Sequence, residues 1–290
     1  MSDLWRSPLD PERVVSTRVT RWQHSAQEQR EEYLAVEEPL EIRLGGRSLA
    51  VIMRTPGHDA ELTAGFLLTE GVIEHPDNLL EIHTASDSEG LPLPNVSEVV
   101  LRGPRTKELA ENAFTRHFAV SASCGLCGKD SISAILAGNE PIDVNDLRID
   151  ATCLYDISAQ LRAAQEVFSH TGGLHAAGLF SERGELELVR EDVGRHNAVD
   201  KLIGHGLLDG KLPYTRALLL VSGRTSFEII QKALRARIPC IAAISAPSSL
   251  AVELAAECGI TLIGFLRSHT MNVYTHAERI VPAPLAGAGG

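Results

Sequence analysis

The chain has 290 residues, 44% of them hydrophobic and 22% charged, with a formal net charge of −11. That length and balance fit a soluble globular protein of two domains with a sizeable core. The acidic balance argues against broad binding to nucleic acid or to an acidic membrane surface, and five cysteines in such a length are no disulfide framework.

The opening residues, Met1-Ser-Asp-Leu-Trp-Arg, lack the apolar segment of a signal peptide, and the longest apolar runs are only strand-length. A cytoplasmic, reducing location is the expectation. Residues 13–23 alternate as a strand. Residues 33–44 and 48–53 read as β runs joined at Gly45-Gly46, a hairpin signature. From His58 to Glu70 the spacing turns helical, with Leu62, Phe66 and Leu67 on one face and Gly71 as the stop. Strands are expected at 79–83 and 96–102, and a short helix at 106–114.

Next comes Ser121-Ala-Ser-Cys124-Gly125-Leu126-Cys127-Gly128-Lys129. Two thiols three positions apart, ahead of a helix-like run from Lys129 to Ala137, would lie near a helix N-terminus. There the dipole, the free N–H groups and Lys129 favour thiolate. Sulfur carriage, a thioredoxin-like dithiol and inert surface cysteines all share this spacing. A structural zinc site needs a second ligand pair, and Cys153, Cys240 and Cys258 are isolated. His276-Ala277-Glu278 imitates half of a zinc-deaminase signature but follows the cysteines in the wrong order, so no metal is expected.

Polar turn residues at 138–143 mark a boundary. The domain reading is 13–122, a smaller mixed α+β unit; 123–150, the CxxC loop and connector; and 151–290. In the last part Ile157, Leu161, Ala164 and Phe168 form one helix stripe ending before Gly172-Gly173. Strands at 174–180 and 186–190 follow, then a helix over 194–206, strand 217–221, helix 225–236, strand 239–244, helix 248–257 and strand 260–266. This alternation predicts a layered α/β domain with parallel strands.

Two constellations stand out here. Val221-Ser222-Gly223-Arg224-Thr225-Ser226 is a strand, a glycine turn and a helix start, with capping-box spacing between Thr225 and Glu228; it suits an anion, or it is simply a capped helix. Glu191 to Lys201 is dense in charge; on a helix, His196 and Asp200 share a face, as do Asn197 and Lys201. It reads as a solvated face or as a site. His175, alone at a strand start, reads as structural.

Ser123-Cys124-Gly125-Leu126-Cys127-Gly128-Lys129 resembles the central motif of the formate dehydrogenase accessory sulfurtransferases, the FdhD/NarQ family. Similar matches fall at Gly57 to Gly71, Thr171 to Ala177, Arg190 to Lys201, Ser222-Gly223-Arg224, Ser245-Ala246-Pro247 and Asn272 to His276. The resemblance implies a cytidine-deaminase-like three-layer fold in the C-terminal domain, without the deaminase zinc, and a cytoplasmic homodimer. It implies that a cysteine desulfurase loads persulfide sulfur on Cys124, with Cys127 assisting. The sulfur passes to a molybdenum or tungsten bis(molybdopterin guanine dinucleotide) cofactor destined for formate dehydrogenase. A chaperone that only holds the cofactor is the rival reading. The family's cofactor segment falls on Phe265, Leu266, Arg267, Ser268, His269 and Thr270; the last two replace basic and glycine residues of some relatives. Because the ligand carries phosphates, a basic rim is expected, built from Arg224, Thr225, Ser226, Arg195 and His196 together with Arg267, and able to take a guanine nucleotide such as GDP.

Overall fold

The computed structural model describes residues 10–102, 140–143 and 146–282. Cys124, Cys127, Lys129 and the expected helix at 106–114 lie outside the described residues.

The N-terminal part opens with a two-stranded antiparallel ribbon, β1 (Val14–Gln23) and β2 (Ala26–Ala35). The run read as one strand from residue 33 to 44 is two, because the chain leaves the ribbon after Ala35 and enters β3 (Glu38–Leu44). The Gly45-Gly46 hairpin to β4 (Arg47–Arg54) is present; both glycines have positive φ, 59° and 74°, as a two-residue hairpin turn demands. With β5 (Leu79–Ser86) and β6 (Pro92–Leu101) these strands make a sheet of order β4-β3-β6-β5, in which β3 and β6 are parallel. Helix α1 (Asp59–Thr69) lies on it, burying Leu62, Phe66 and Leu67.

After the short β7 (Ile149–Asp150), the single helix stripe expected between residues 157 and 168 is broken into α2 (Ala151–Ala164) and α3 (Glu166–Thr171). Gln165 sits at the break with φ −80° and ψ 89°. Then come β8 (His175–Ser181), β9 (Leu186–Asp192), α4 (Arg195–Leu208), β10 (Ala217–Val221), α5 (Phe227–Arg235), β11 (Cys240–Ala243), α6 (Ser249–Glu257), β12 (Thr261–Gly264) and β13 (Asn272–Thr275). A last strand, β14 (Ile280–Val281), pairs with β7.

The large sheet has the order β13-β12-β11-β10-β8-β9. The expected parallel strands are β10, β11 and β12, but the sheet as a whole is mixed, because β8, β9 and β13 run antiparallel to their neighbours. The parallel strands need crossover helices; β8 and β9 are joined by a tight turn at Arg183-Gly184, which only an antiparallel pair allows. Successive residues alternate between faces. Leu219, Val221, Ile241 and Leu262 pack with α4, α5 and α6, whereas Leu218, Leu220, Cys240 and Ile263 pack with Leu154, Ile157 and Leu161 of α2. The result is a three-layer α/β/α arrangement. Among the described residues no helix is long and apolar enough to cross a membrane.

The apolar core runs without a break from the N-terminal sheet through α1 into α4. Glycine makes that contact close. A Cβ on Gly65 of α1 would stand 1.9 Å from the Asp200 carbonyl oxygen, and one on Gly204 of α4 would stand 1.8 Å from that of Glu61. The two helices therefore touch backbone to backbone where they cross.

Candidate functional site: the rim at the ends of the parallel strands

Parallel strands deliver their loops to one edge, and ligands of open α/β sheets sit there. Here the loops after β10, β11 and β12 are fastened together. Thr225 bridges to Pro247 and its carbonyl accepts from Ser248 N at 3.0 Å; Phe265 N donates to Ser245 O at 3.1 Å. Arg267 Nη1 donates to Ile244 O at 2.6 Å and to Leu266 O at 2.8 Å, so this guanidinium also ties down the loop it stands on. Antiparallel β8 brings its first residue, His175, to the same edge, opposite Asp192 at the end of β9. The start of α4 follows directly. Gly223 leaves room for both: a Cβ there would lie 3.3 Å from His175 Nδ1 and 3.7 Å from Arg195 Cδ.

The rim thus gathers most of the expected residues. Arg224 is exposed. Strand β12 ends at Gly264, earlier than expected, because Phe265 takes a left-handed φ of 52° and turns outward, 43% exposed. Leu266 turns back into the core at 1% exposure, so its part in a site is that of a wall. Ser268, His269 and Thr270 are exposed, and the His269 ring lies 6.5 Å from that of Tyr155. Thr225 is 1% exposed; helix α5 starts later than expected, with Ser226 as its cap residue and no side-chain cap bond, so the Thr225–Glu228 capping box does not form. Ser226 Oγ instead meets His196 Nε2 at 3.1 Å. The Thr225 Oγ1 and Arg195 Nε atoms are buried without a hydrogen-bond partner among the described residues. Orphaned polar atoms at a strand-end rim are what a polar ligand would satisfy.

The charged run from Glu191 to Lys201 divides in two. Only Arg195 and His196 belong to the rim. Asp200 and Lys201 do not lie on a solvated face: they are 2% and 1% exposed. Lys201 Nζ donates to Thr55 O at 2.7 Å and meets Asp192 Oδ2 at 2.8 Å. Asp200 accepts from Thr69 Oγ1 and from Lys232 Nζ, at 2.8 and 2.9 Å. Burial pushes its carboxyl up to about 6, against the pull of Lys232. Glu191 accepts from Val167 N and Phe168 N at the start of α3. In α1, Glu61 receives both Arg190 Nε and Nη2, at 2.5 and 2.7 Å; burial works to raise its pKa, but this pairing holds it well below the usual carboxylate range. The Asp200–Thr69, Lys201–Thr55 and Glu61–Arg190 contacts bind the N-terminal sheet and α1 to the α/β/α layers, while Glu191 ties α3 to β9 within those layers.

His196 is held down to about 4, first by burial and then by the Arg195 and Lys232 charges. A histidine depressed from its usual value near 6.5 stabilises the fold above that value. The contribution is lost as pH falls through 6.5 toward 4. Acid sensitivity should therefore drop in His196→Gln: between pH 7 and pH 4.5 the variant should lose up to about 2 kcal/mol less stability than the parent. Urea melts at the two pH values check this, and equal losses would show that His196 does not titrate in this window.

Three features of the site were not recognised in the sequence. His175 stands on the rim, with a pKa lowered by burial and by Arg195, and so presents neutral imidazole at pH 7. Arg162 and Gln165 line a cavity of 630 Å³ beside it, together with Phe168, Ser222 and Arg267. The Gly172-Gly173 pair, also on its wall, was the one local signal. Among the described residues no three His, Cys, Asp or Glu side chains group as a metal site. Cys240 and Cys258 are core residues whose thiols burial pushes up to about 12 and about 11, and half-buried Cys153 is shifted the same way, so none of the three is a ready nucleophile.

The described residues thus form a three-layer α/β/α arrangement with a polar rim at its parallel strand ends that carries Arg195, Arg224 and Arg267. The chain belongs to the FdhD/NarQ family, whose model matches residues 35–281. It is 49% identical over 283 residues to the sulfur carrier protein FdhD of Streptomyces coelicolor, covering 96% of this chain and 99% of that one. It is 48% identical over 266 residues to the protein of the same name from Nocardia farcinica, covering 91% and 93%. Against the one from Sulfolobus acidocaldarius it is 45% identical over 250 residues, covering 86% and 92%. In fold it is similar to a crystal structure from Desulfotalea psychrophila described as a candidate formate dehydrogenase accessory protein, with a TM-score of 0.72, 24% identity, and coverage of 93% of this chain and 100% of that one.

Proposed function

We propose that this protein is a sulfur carrier in the maturation of formate dehydrogenase. The observation that carries the reading is near full-length identity of about half to proteins named as sulfur carriers, in a chain that holds Cys124-Gly125-Leu126-Cys127. In this reading a cytoplasmic cysteine desulfurase presents a persulfide. The Cys124 thiolate attacks its terminal sulfur; the desulfurase S–S bond breaks, a new S–S bond forms on Cys124, and the desulfurase thiolate leaves. The exchange is redox-neutral and needs no metal. Cys127 resolves or orients the persulfide. Mass spectrometry of Cys124 after incubation with a desulfurase and cysteine should show one added sulfur, and an unmodified thiol under conditions that load another carrier would overturn the reading.

The acceptor in this proposal is the molybdenum or tungsten bis(molybdopterin guanine dinucleotide) cofactor, held as substrate at the rim. The residues there suit it. Arg224 is exposed, Arg195 Nε and Thr225 Oγ1 are buried and have no partner among the described residues, and Ser226, His196 and the 265–270 segment border the same edge. Phosphates would meet Arg224, Arg267 and the start of α5, and Phe265 offers an exposed ring. The C-terminal layers are read as cytidine-deaminase-like and the working unit as a homodimer. GDP serves as the analogue. Arg224→Ala should weaken GDP by about tenfold, the loss of one charge-assisted contact. Arg267→Ala should weaken it at least as much, because the loop loses its ties to Ile244 and Leu266 as well. Calorimetry on folded variants measures both, and unchanged affinity in the two would place the nucleotide elsewhere.

A further inference from the structure

The thiols among the described residues all lie at one end of the large sheet, and it is the end away from the rim. Cys240 opens β11, and Cys258 closes α6 just before β12 begins, so both sit where the parallel strands start. Cys153 packs beneath the β8–β9 turn: a Cβ on Gly184 would stand 3.0 Å from the Cys153 Cβ. The whole of β8 separates that turn from His175 on the rim, about 20 Å at the rise of a strand. Burial also raises all three thiol pKa values. None of Cys153, Cys240 and Cys258 can give electrons to a sulfur atom at the rim.

Sulfur that is to leave as a simple anion needs electrons. The outer atom of a persulfide is sulfane sulfur, two electrons above sulfide, and sulfide is the form that binds a metal as an anionic ligand. A carrier with one thiol can hand sulfane sulfur on but cannot reduce it. Cys127 is a second thiol three residues from Cys124, the spacing that dithiol oxidoreductases close into a disulfide. The rim suits the reduced product. Arg195, Arg224 and Arg267 bring positive charge to it, and HS− is an anion, whereas sulfane sulfur passed on directly bears no charge.

We infer that sulfur leaves this protein as sulfide, that Cys127 supplies the electrons, and that each delivery is followed by exchange with an external reductant of the dithiol class. The inference rests on the sulfur-carrier reading above and adds to it the reaction that must consume its spent form. The Cys127 thiolate attacks Cys124 Sγ. The bond from that atom to the sulfane sulfur breaks, a Cys124–Cys127 disulfide forms, and HS− leaves with the persulfide proton. The two cysteines together lose two electrons, which depart with the sulfide. A partner dithiol then opens the bridge through a mixed disulfide and becomes a disulfide itself, restoring both thiols.

The test starts from the intact protein, loaded by an immobilised cysteine desulfurase with cysteine and then washed free of both. The loaded protein should release about one sulfide per chain, and mass spectrometry after acid quenching should find the Cys124–Cys127 bridge in place of the persulfide. A second round of loading should fail until dithiothreitol is supplied. Cys127→Ala should load and then keep its persulfide, with sulfide release lost. A parent protein that keeps its persulfide, or that reloads fully without a dithiol, overturns the inference and leaves the sulfur-carrier reading standing. Sulfide release from Cys127→Ala equal to that of the parent overturns it as well, because the electrons then come from another group. If Cys127→Ala fails to fold, the bridge and the reloading of the parent decide alone. Failure of the parent to load overturns both.

Discussion

Cys124→Ala is expected to end activation of formate dehydrogenase. A carrier that cannot form the new S–S bond delivers no sulfur, and alanine has no nucleophile to substitute. Cys153, Cys240 and Cys258 offer no rescue: Cys240 and Cys258 are buried, and burial raises their thiol pKa values and Cys153's alike. Client activity should fall by at least about a hundredfold, in the range lost when a catalytic group is removed. The melting temperature and GDP affinity should not move, because alanine removes only a thiol and leaves Arg195, Arg224 and Arg267 unchanged. Cys127→Ala should retain some delivery if that thiol only orients the loop. Full activation by Cys124→Ala would assign sulfur transfer to another group and leave cofactor holding as the function.

The second large effect is on stability. Lys232 is 4% exposed, and its three ammonium protons meet three acceptors: Thr69 Oγ1 at 3.0 Å, Glu70 Oε1 at 2.9 Å and Asp200 Oδ2 at 2.9 Å. Burial works to lower its pKa, but Asp200 and Glu70 outweigh it and hold the amine charged at every ordinary pH. Lys232→Met keeps the apolar stem and strands Asp200 in the interior. That should cost about 3–5 kcal/mol, the usual penalty for removing one partner of a buried pair. Adding Asp200→Asn removes the stranded charge and should recover much of the loss. Chemical denaturation of the parent, the single and the double variant measures the coupling; a single variant within about 1 kcal/mol of the parent would mean that Asp200 is neutral or hydrated in the fold.

Lys232 also shows why some of this architecture was legible in the sequence and some was not. Periodicity is local, and the elements it governs were readable: Ala217 to Val221 is an uninterrupted apolar run and is β10, and Gly45-Gly46 between alternating runs is the hairpin. The placing of Arg224 and Arg267 at one edge follows from β10 and β12 running parallel, whereas Arg195 arrives there after antiparallel β9. Partnership across the chain was not readable. Asp200 and Lys201 look like surface residues of a helix until Thr69, Lys232 and Thr55 arrive from distant segments and draw them inside. Gln165 is a good helix former, so nothing local announces that the helix breaks there. His175 reaches the rim only because β8 runs antiparallel to β10, a direction that tertiary pairing decides.

The crossing of α1 and α4 has a bearing on descent. Gly65 and Gly204 sit on helices more than a hundred residues apart, and each faces the other helix's backbone. A side chain gained at either one would wedge the partner away, and no change confined to one half can restore the fit. The two halves are therefore a matched pair: recombination that exchanged one of them for a foreign homologue would inherit a mismatch at this joint, so lineages should pass them on together.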